Sequence, residues 1–241
     1  MKPKLFPSCE PRQNQLLANL PYEDLAPWAA ALEPVALSLG QVLCESGSTA
    51  AYAYFPTTAI VSLLYLTQDG ESTEIAVVGR DGMVGVSLFM GGNATPSRSV
   101  VQSAGMGLRL PAHLVKQAVT NAGALQAMLL SYTQTLMAQV AQTAACNRYH
   151  SIDQLLCRRL LMGLDRLPSE AMMMTQELLA NLLGVRREGV TAAALKLSQA
   201  GLISYSRGRI AVLDRERLEQ RMGCPAPTAK PRRTAPMQMA A

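Results

Sequence analysis

The chain has 241 residues, of which 49% are hydrophobic and 16% are charged, and its formal net charge is +5. This length allows one large domain or two modest ones, with enough apolar side chains to form their cores. No apolar run is long enough to cross a bilayer, and the N-terminus has lysines without the apolar stretch of a signal peptide. We therefore expect a cytoplasmic protein with no membrane partner.

The positive charge is concentrated in the second part of the chain. Residues 147–241 contain 15 Lys and Arg against 8 Asp and Glu, whereas residues 1–146 contain 7 against 9. This asymmetry predicts that the C-terminal part binds a polyanion.

The cysteines are scattered along the chain, with no C-x-x-C pair and no Cys/His cluster in the sequence. This pattern indicates neither a disulfide framework nor a zinc site, so we expect free thiols that serve as small packing residues. We therefore predict no metal site. The five cysteines are Cys9, Cys44, Cys146, Cys157 and Cys224.

Short β-rich runs separated by turn residues follow one another between Val35 and Leu110. A turn at residues 68–71 joins two of them into a hairpin, and glycines or a proline separate others. Many short strands with frequent turns predict a small barrel or jelly roll, which follows a helical N-terminal segment. The runs are VALSL, YAYFP, AIVSLLYL, STEIAVV and SVVQSAGMGLRL.

A helical pattern replaces the strands after Pro111. The segment AHLVKQAV predicts a short helix, and a long helix without turn residues begins at Ala124. One face of the long helix has a seam of residues spaced four and three apart, as in a coiled coil. The seam fits a dimer through residues 124–150, in which the polar seam positions fix the register or contact a ligand. It also fits a helix that packs on its own barrel. Its residues are Leu125, Leu129, Tyr132, Leu136, Gln139, Thr143, Cys146 and His150.

A second amphipathic helix is predicted at SIDQLLCRRLLMGLDRL, and Pro168 ends it. At the other end of the C-terminal part, residues 223–241 are rich in Pro and Ala and have almost nothing to bury. This composition predicts a disordered tail.

The most specific pattern is TQELLANLLGVRREGVTAAALKLSQAGLISYSRGR, at residues 175–209. Thr175 is placed to cap a short helix, and Gly184 permits a tight turn into a second helix with apolar residues at every third or fourth position. Gly201 ends that helix, and two short strands around a basic tip form a wing. The segment therefore predicts a winged helix-turn-helix.

The polar residues of this segment match the chemistry of duplex DNA. An Arg at the start of the second helix can donate to guanine O6 and N7, and a Glu can accept from the amino group of cytosine. The first helix start and the wing arginines suit phosphates. We predict DNA contacts from Thr175, Gln176, Arg186, Arg187, Glu188, Thr191, Arg207 and Arg209.

From about Leu16 to Leu218 the chain resembles the Crp/Fnr (catabolite-activator type) transcription regulators. The matching pieces are LGQVLCESGS, YFPTTAIVSL, VGRDGMVGVSLFMGG, TQTLMAQVAQTAACNR and, as the most specific, TQELLANLLGVRREGVT with GLISYSRGRI. The resemblance implies an α+β chain with a cyclic-nucleotide-binding-like β-roll (a jelly roll) over residues 1–122, a dimerisation helix over 123–150 and a winged helix-turn-helix over 151–222. The implied partners are near-palindromic double-stranded DNA, a second copy of the chain and RNA polymerase.

The second helix departs from the family pattern at one position. In the family an Arg-Glu pair is followed, four residues after the Glu, by a second Arg. Here Arg187 and Glu188 form the pair, and Ala192 replaces the second Arg. Loss of one base-reading Arg costs about 1–3 kcal/mol at its base pair, so we expect an operator that differs from the family's best-known one.

Residues 82–99, GMVGVSLFMGGNATPSRS, occupy the place of the family's phosphate-binding loop. Arg98 and Ser99 match the family's Arg-Ser/Thr pair. Gly82 and Gly85 can supply the tight backbone that a phosphate needs. The resemblance therefore makes these four residues candidates for effector binding.

The same resemblance exposes a defect in the effector site. Val86 replaces the Glu that binds the ribose, while Gln139 and Thr143 on the long helix lie near the family's base contacts. The missing carboxylate favours a degenerate roll, in which Arg98 pairs with a carboxylate such as Asp81, or a different effector, over a cyclic nucleotide.

Other cofactors and functions fit the sequence less well. Cys9 alone cannot reproduce the cysteine cluster of the family's iron–sulfur sensors, and neither His113 nor His150 lies in a motif that identifies a haem ligand. A metal enzyme on a cupin-like barrel needs a His and carboxylate cluster, yet no His precedes His113. The alternative of a cyclic-nucleotide-binding module that acts through protein contacts leaves the basic helix and wing unexplained. We therefore predict a homodimeric, sequence-specific transcription regulator and not an enzyme.

Overall fold

The computed structural model of the chain describes residues 9–91, 94–120, 123–167, 171–206 and 208–224. Its N-terminal segment is helical, as expected. It consists of a 3₁₀ turn at Pro11–Gln13, α1 at Gln15–Ala18 and α2 at Tyr22–Ala29.

Seven strands follow and form two antiparallel sheets, with the orders β1-β7-β3 and β2-β6-β4-β5. The sheets share an apolar core, in which Leu37, Val61 and Val101 are at most 1% exposed. This is the predicted β-roll. The strands are β1 Glu33–Leu37, β2 Val42–Cys44, β3 Tyr52–Pro56, β4 Ile60–Leu66, β5 Ser72–Val78, β6 Arg98–Ser103 and β7 Gly105–Pro111.

The predicted run SVVQSAGMGLRL is two strands in different sheets, because the chain changes sheet between Ser103 and Gly105. A Cβ on Gly105 would lie 2.5 Å from the backbone nitrogen of Ala59, so only glycine fits at this crossing. The short strand β2 was also missed, since its three residues are too few to show an alternating pattern.

Two helices complete the N-terminal part, α3 at Ala112–Thr120 and the 26-residue α4 at Ala124–Tyr149. Leu129 and Tyr132, both in the predicted seam, are buried in the core of the roll. Leu136 packs against the core between the sheets. This part of the seam therefore lies on the protein's own roll, as in the second of the two interpretations. The opposite face of α4 is exposed.

The C-terminal part is helical with a small sheet of order β8-β10-β9. Its core includes Leu156, Leu160, Leu179, Val190 and Leu197, none of which is exposed to solvent. The elements are α5 Ile152–Leu164, β8 Ala171–Met173, α6 Gln176–Leu183, α7 Arg187–Gln199, β9 Ile203–Ser206, β10 Arg209–Val212 and α8 Arg215–Met222.

The predicted helix, turn, helix and wing are all present, and the wing gains a third strand. Strand β8 pairs with β10, with Met173 opposite Arg209. Pro168, Arg207 and residues 225–241 of the predicted tail lie outside the described residues. No described helix combines the length and apolar character that a membrane crossing requires.

Two buried ion pairs connect helix α5 and its C-terminal turn to the roll. The Nε of Arg159 lies 3.0 Å from Glu74, and the guanidinium of Arg166 lies 2.8 Å from Asp81. Burial raises the pKa of the Glu74 carboxyl, whereas Arg159 and the hydroxyl of Ser62 favour its charged form. These contacts fix the C-terminal part against the roll in this structure.

Candidate DNA-binding and effector sites

The turn between α6 and α7 determines how the second helix is presented. Gly184 ends α6 with φ of +64°, a left-handed conformation that side chains disfavour. Helix α7 begins three residues later, at Arg187, and buries Val190, Ala193 and Leu197 against the domain core. Its opposite side consequently faces solvent.

The solvent side of α7 carries the predicted DNA-reading residues. Arg187, Glu188 and Thr191 are all exposed, together with Ala192 and Lys196. In the part of the chain that the structure describes, neither Arg187 nor Glu188 forms a salt bridge. The guanidinium and carboxylate are therefore available to base edges in a major groove.

Gly189 explains how α7 packs against the start of α5. A Cβ at this position would lie 2.7 Å from the Cδ1 of Ile152. Glycine costs about 1 kcal/mol relative to Ala in a helix interior, and here the absence of a side chain permits a close helix contact.

The start of α6 is joined to the reading side of α7 by hydrogen bonds. The Thr175 hydroxyl caps α6 by accepting from the backbone amide of Leu178 at 3.1 Å. The Thr191 hydroxyl is 2.9 Å from Gln176 Oε1 and 3.0 Å from the Arg187 carbonyl oxygen. The structure thus brings the predicted residues of both helices onto one surface.

The wing presents one described arginine beside this surface. Arg209 is exposed at the start of β10, and the Tyr205 hydroxyl of β9 donates to the Met174 carbonyl, which fixes β9 against the segment before α6. Arg207, the other predicted wing contact, is not among the described residues.

Much of the remaining positive charge in the C-terminal part is neutralised inside the protein. Arg215 pairs with Asp165 at 2.7 Å, and Arg221 pairs with Asp153 at 3.1 Å. Arg159 pairs with a glutamate of the roll. The overall charge asymmetry was therefore a less specific signal than the exposed arginines around α7.

The predicted effector arginine is already paired with a carboxylate of the protein, in a partly exposed ion pair. Arg98 Nε is 3.0 Å from the carboxylate of Glu45, so the arginine pairs with a carboxylate as expected, although with a different one. The suggested partner, Asp81, is wrong because its carboxylate binds Arg166. Ser99 is buried in β6, where it lies opposite Leu63 of β4.

The glycines of the effector loop serve close packing. A Cβ on Gly82 would lie 2.5 Å from the hydroxyl oxygen of Tyr132, which donates to the Met83 carbonyl. Gly85 has φ of +113°, and a Cβ at this position would lie 3.3 Å from the Cα of Ala53.

The two polar candidates on α4 are also engaged by the protein. The Gln139 amide bonds both the backbone nitrogen and the carbonyl oxygen of Val77, each at 3.3 Å. The Thr143 hydroxyl donates to the Gln139 carbonyl and accepts from Arg158. Both side chains thus connect α4 to its own neighbours.

The structure also brings Cys224 together with Cys146 and His150, the last two residues of the predicted seam. Their potential ligand atoms all lie within 4.8 Å of one another. The four-residue spacing of Cys146 and His150 in the predicted helix was the available signal, because residues so spaced share a face of a helix, although α4 ends at Tyr149 and His150 caps it. The contribution of Cys224 depends on the tertiary fold.

Residues 154–221 match the sequence profile of the Crp-like helix-turn-helix domain. The match includes α6, α7 and the wing strands, so the family resemblance is confirmed where it was most specific. No curated protein matches the chain in a sequence comparison.

Solved structures extend the likeness to the whole fold. FixK2 from Bradyrhizobium japonicum superposes with a TM-score of 0.70 at 16% identity, covering 81% of this chain and 99% of its own. A Crp/Fnr-family regulator from Eubacterium rectale superposes with a TM-score of 0.65 at 18% identity, and the match covers 88% of this chain and 99% of that regulator. The c-di-GMP-responsive global regulator CLP of Xanthomonas campestris superposes with a TM-score of 0.61 at 15% identity, and the match covers 77% of this chain and 95% of CLP. The chain therefore has the Crp/Fnr fold, and the predicted fold class is confirmed.

Proposed function

We propose that the protein is a homodimeric transcription regulator that reads DNA with α7. The observation that carries this proposal is the exposed pair Arg187 and Glu188 at the start of α7, in a domain whose other arginines are largely paired with carboxylates. A helix N-terminus in the major groove places such a pair against guanine and cytosine edges.

The surface around the pair has the donors that a DNA backbone requires. Arg209 of the wing and Arg186 before α7 are exposed, and they supply charge for phosphates on either side of the groove. The start of α6 at Thr175 adds backbone amides close to α7. These contacts position the domain, while Arg187, Glu188 and Thr191 provide the sequence preference.

The exposed face of α4 supports dimerisation, and it replaces the predicted seam as the proposed interface. Leu130 and Met137, seven residues apart on the same helix face, are 51% and 65% exposed, and burial against a partner would remove this apolar surface from water. They belong to a second series with spacings of three and four, the pattern of a helix–helix contact. The series is Ala127, Leu130, Gln134, Met137, Ala141, Ala144 and Arg148.

The contacts within the roll support a remodelled effector domain. Arg98 is paired with Glu45, Gly82 accommodates Tyr132, and Gln139 bonds a strand backbone. A cyclic nucleotide would have to displace such contacts and would still lack the ribose carboxylate that Val86 replaces. We propose that the roll acts as a structural platform or responds to a different effector.

A regulator of this kind acts on the bacterial chromosome in the cytoplasm, with RNA polymerase as its further partner. Both assignments are inferred from the family fold and depend on DNA binding.

The proposal is tested by selecting fragments of genomic DNA with the purified full-length protein. We expect enrichment of one near-palindromic sequence, whose half-sites are centred about 34 Å apart, one helical turn. Retention of fragments without a shared sequence, at any salt concentration, would contradict sequence-specific recognition.

A further inference from the structure

The C-terminal end of α4 carries a thiol and an imidazole that converge with a thiol from the end of the helix-turn-helix domain. Cys146 is in the last turn of α4, and His150 follows the helix as its cap. Cys224 lies beyond α8, at the other end of the domain that begins with α5. The Cys146 and Cys224 sulfurs are 3.7 Å apart, and the His150 ligand atom is within 4.8 Å of both.

The fold holds Cys224 in this position. Leu218 and Met222 anchor α8 in the domain core, and Arg221 binds Asp153 at the start of α5. Gly223 then turns the chain with φ of +71°. Packing of α8 and the turn at Gly223 therefore hold Cys224 beside Cys146.

The distances match a tetrahedral metal ion better than a sulfur–sulfur bond. Two thiolates at about 2.3 Å from a tetrahedral Zn²⁺ are separated by about 3.8 Å, close to the observed 3.7 Å. A disulfide would need a separation of about 2.05 Å. In addition, the Nδ1 of His150 is buried and has no hydrogen-bond partner among the described residues, whereas a buried imidazole nitrogen normally has one.

We propose that Cys146, His150 and Cys224 form a binding site for one Zn²⁺ or a similar soft divalent cation. Two thiolates and one imidazole are a preferred zinc ligand set, and the thiolates neutralise the charge of the ion. A water molecule completes the tetrahedron, and the ion enters from the half-buried side of His150 and Cys224. This site does not depend on the proposed DNA-binding function.

The site lies where a bound ion would restrict movement between the roll and the helix-turn-helix domain. Helix α4 ends at Tyr149 and α5 begins at Ile152, so the ligands lie on both sides of the break between the roll and the helix-turn-helix domain. A bound ion would attach the end of the C-terminal domain to α4 and would resist rotation about residues 150 and 151.

The test uses the reduced, metal-free full-length protein and Co²⁺ as a spectroscopic probe. We expect one Co²⁺ per chain, with the thiolate-to-cobalt charge-transfer band and the intense visible bands of tetrahedral coordination. Cys224→Ser should bind at least about tenfold more weakly, since loss of even an outer partner of a metal site has that effect. Cys44→Ser is the matched control, because Cys44 lies in the roll and should leave the spectrum unchanged.

A second measurement separates metal binding from misfolding. Zn²⁺ should raise the melting temperature of the native protein and of Cys44→Ser, because a ligand that binds only the folded state stabilises it. It should not do so for Cys224→Ser, whose melting temperature in chelator should equal that of the native protein. Absence of the charge-transfer band in the native protein, or equal Co²⁺ affinity in Cys224→Ser, would overturn the proposal.

Discussion

Arg159 of α5 and Glu74 of β5 form an ion pair at 3.0 Å between the helix-turn-helix domain and the roll, and both side chains are at most 7% exposed. Breaking one member of a buried pair leaves the other charge desolvated, which costs about 3–5 kcal/mol. We therefore expect Arg159→Leu to lower the free energy of unfolding by this amount.

The double variant Glu74→Leu with Arg159→Leu provides the control. Because apolar replacement of both partners is often neutral or stabilising, the double variant should recover most of the lost stability. Urea unfolding at fixed protein concentration measures the free energy of unfolding of the single and the double variant. If the single and the double variant lost the same free energy of unfolding, the loss would come from altered packing and not from an unpaired buried charge.

A second prediction concerns Gly82, a candidate for phosphate binding by sequence. Ala at this position would force the Tyr132 ring away, and such overpacking costs about 1–3 kcal/mol. In a Tyr132→Leu background the same substitution should cost much less. Thermal or urea unfolding of the native protein, the two single variants and the double variant gives the coupling free energy between the two positions. Additive losses of stability would show that Gly82 is not needed for packing against Tyr132.

The third prediction concerns the Arg98–Glu45 pair and cyclic nucleotides. The pair is partly exposed, with 36% and 55% of the side-chain surfaces accessible, so Arg98→Ala should cost less than about 1 kcal/mol of stability. Calorimetric titration with cyclic AMP and cyclic GMP should give no micromolar binding. Micromolar binding that Arg98→Ala abolishes would establish a functional phosphate site instead.

The fourth prediction tests the exposed face of α4. Met137→Glu places a charge in the middle of the proposed seam and should convert the dimer to a monomer in sedimentation analysis. Thr135→Glu introduces the same charge at an exposed position off the seam, so it should remain dimeric. An equal molar mass for the two variants would place the interface elsewhere.

These relationships show what a sequence pattern can and cannot provide. The runs YAYFP and STEIAVV coincide with strands β3 and β5, because alternation and turn residues are local properties. Both faces of α4 carry residues spaced three and four apart, so periodicity alone could not tell which face meets the roll.

The pairing of distant residues was the least predictable feature. Arg98 binds Glu45 instead of Asp81, and Cys146 meets Cys224 from the other end of the C-terminal domain. Each contact depends on how separate elements pack, which no local pattern specifies. The helix-turn-helix was predictable because its caps, turn glycine and apolar spacing all lie within one continuous segment.

The central claim, that α7 reads base sequence, is tested most directly by the double variant Arg187→Ala with Glu188→Ala. It removes one positive and one negative charge, so the net charge of the domain, and with it salt-dependent binding to phosphates, stays nearly the same. Competition binding between the selected operator and unrelated DNA measures the specificity ratio. We predict that the ratio falls toward unity while non-specific affinity persists. An operator preference equal to that of the native protein would contradict the assignment of α7 as the reading helix.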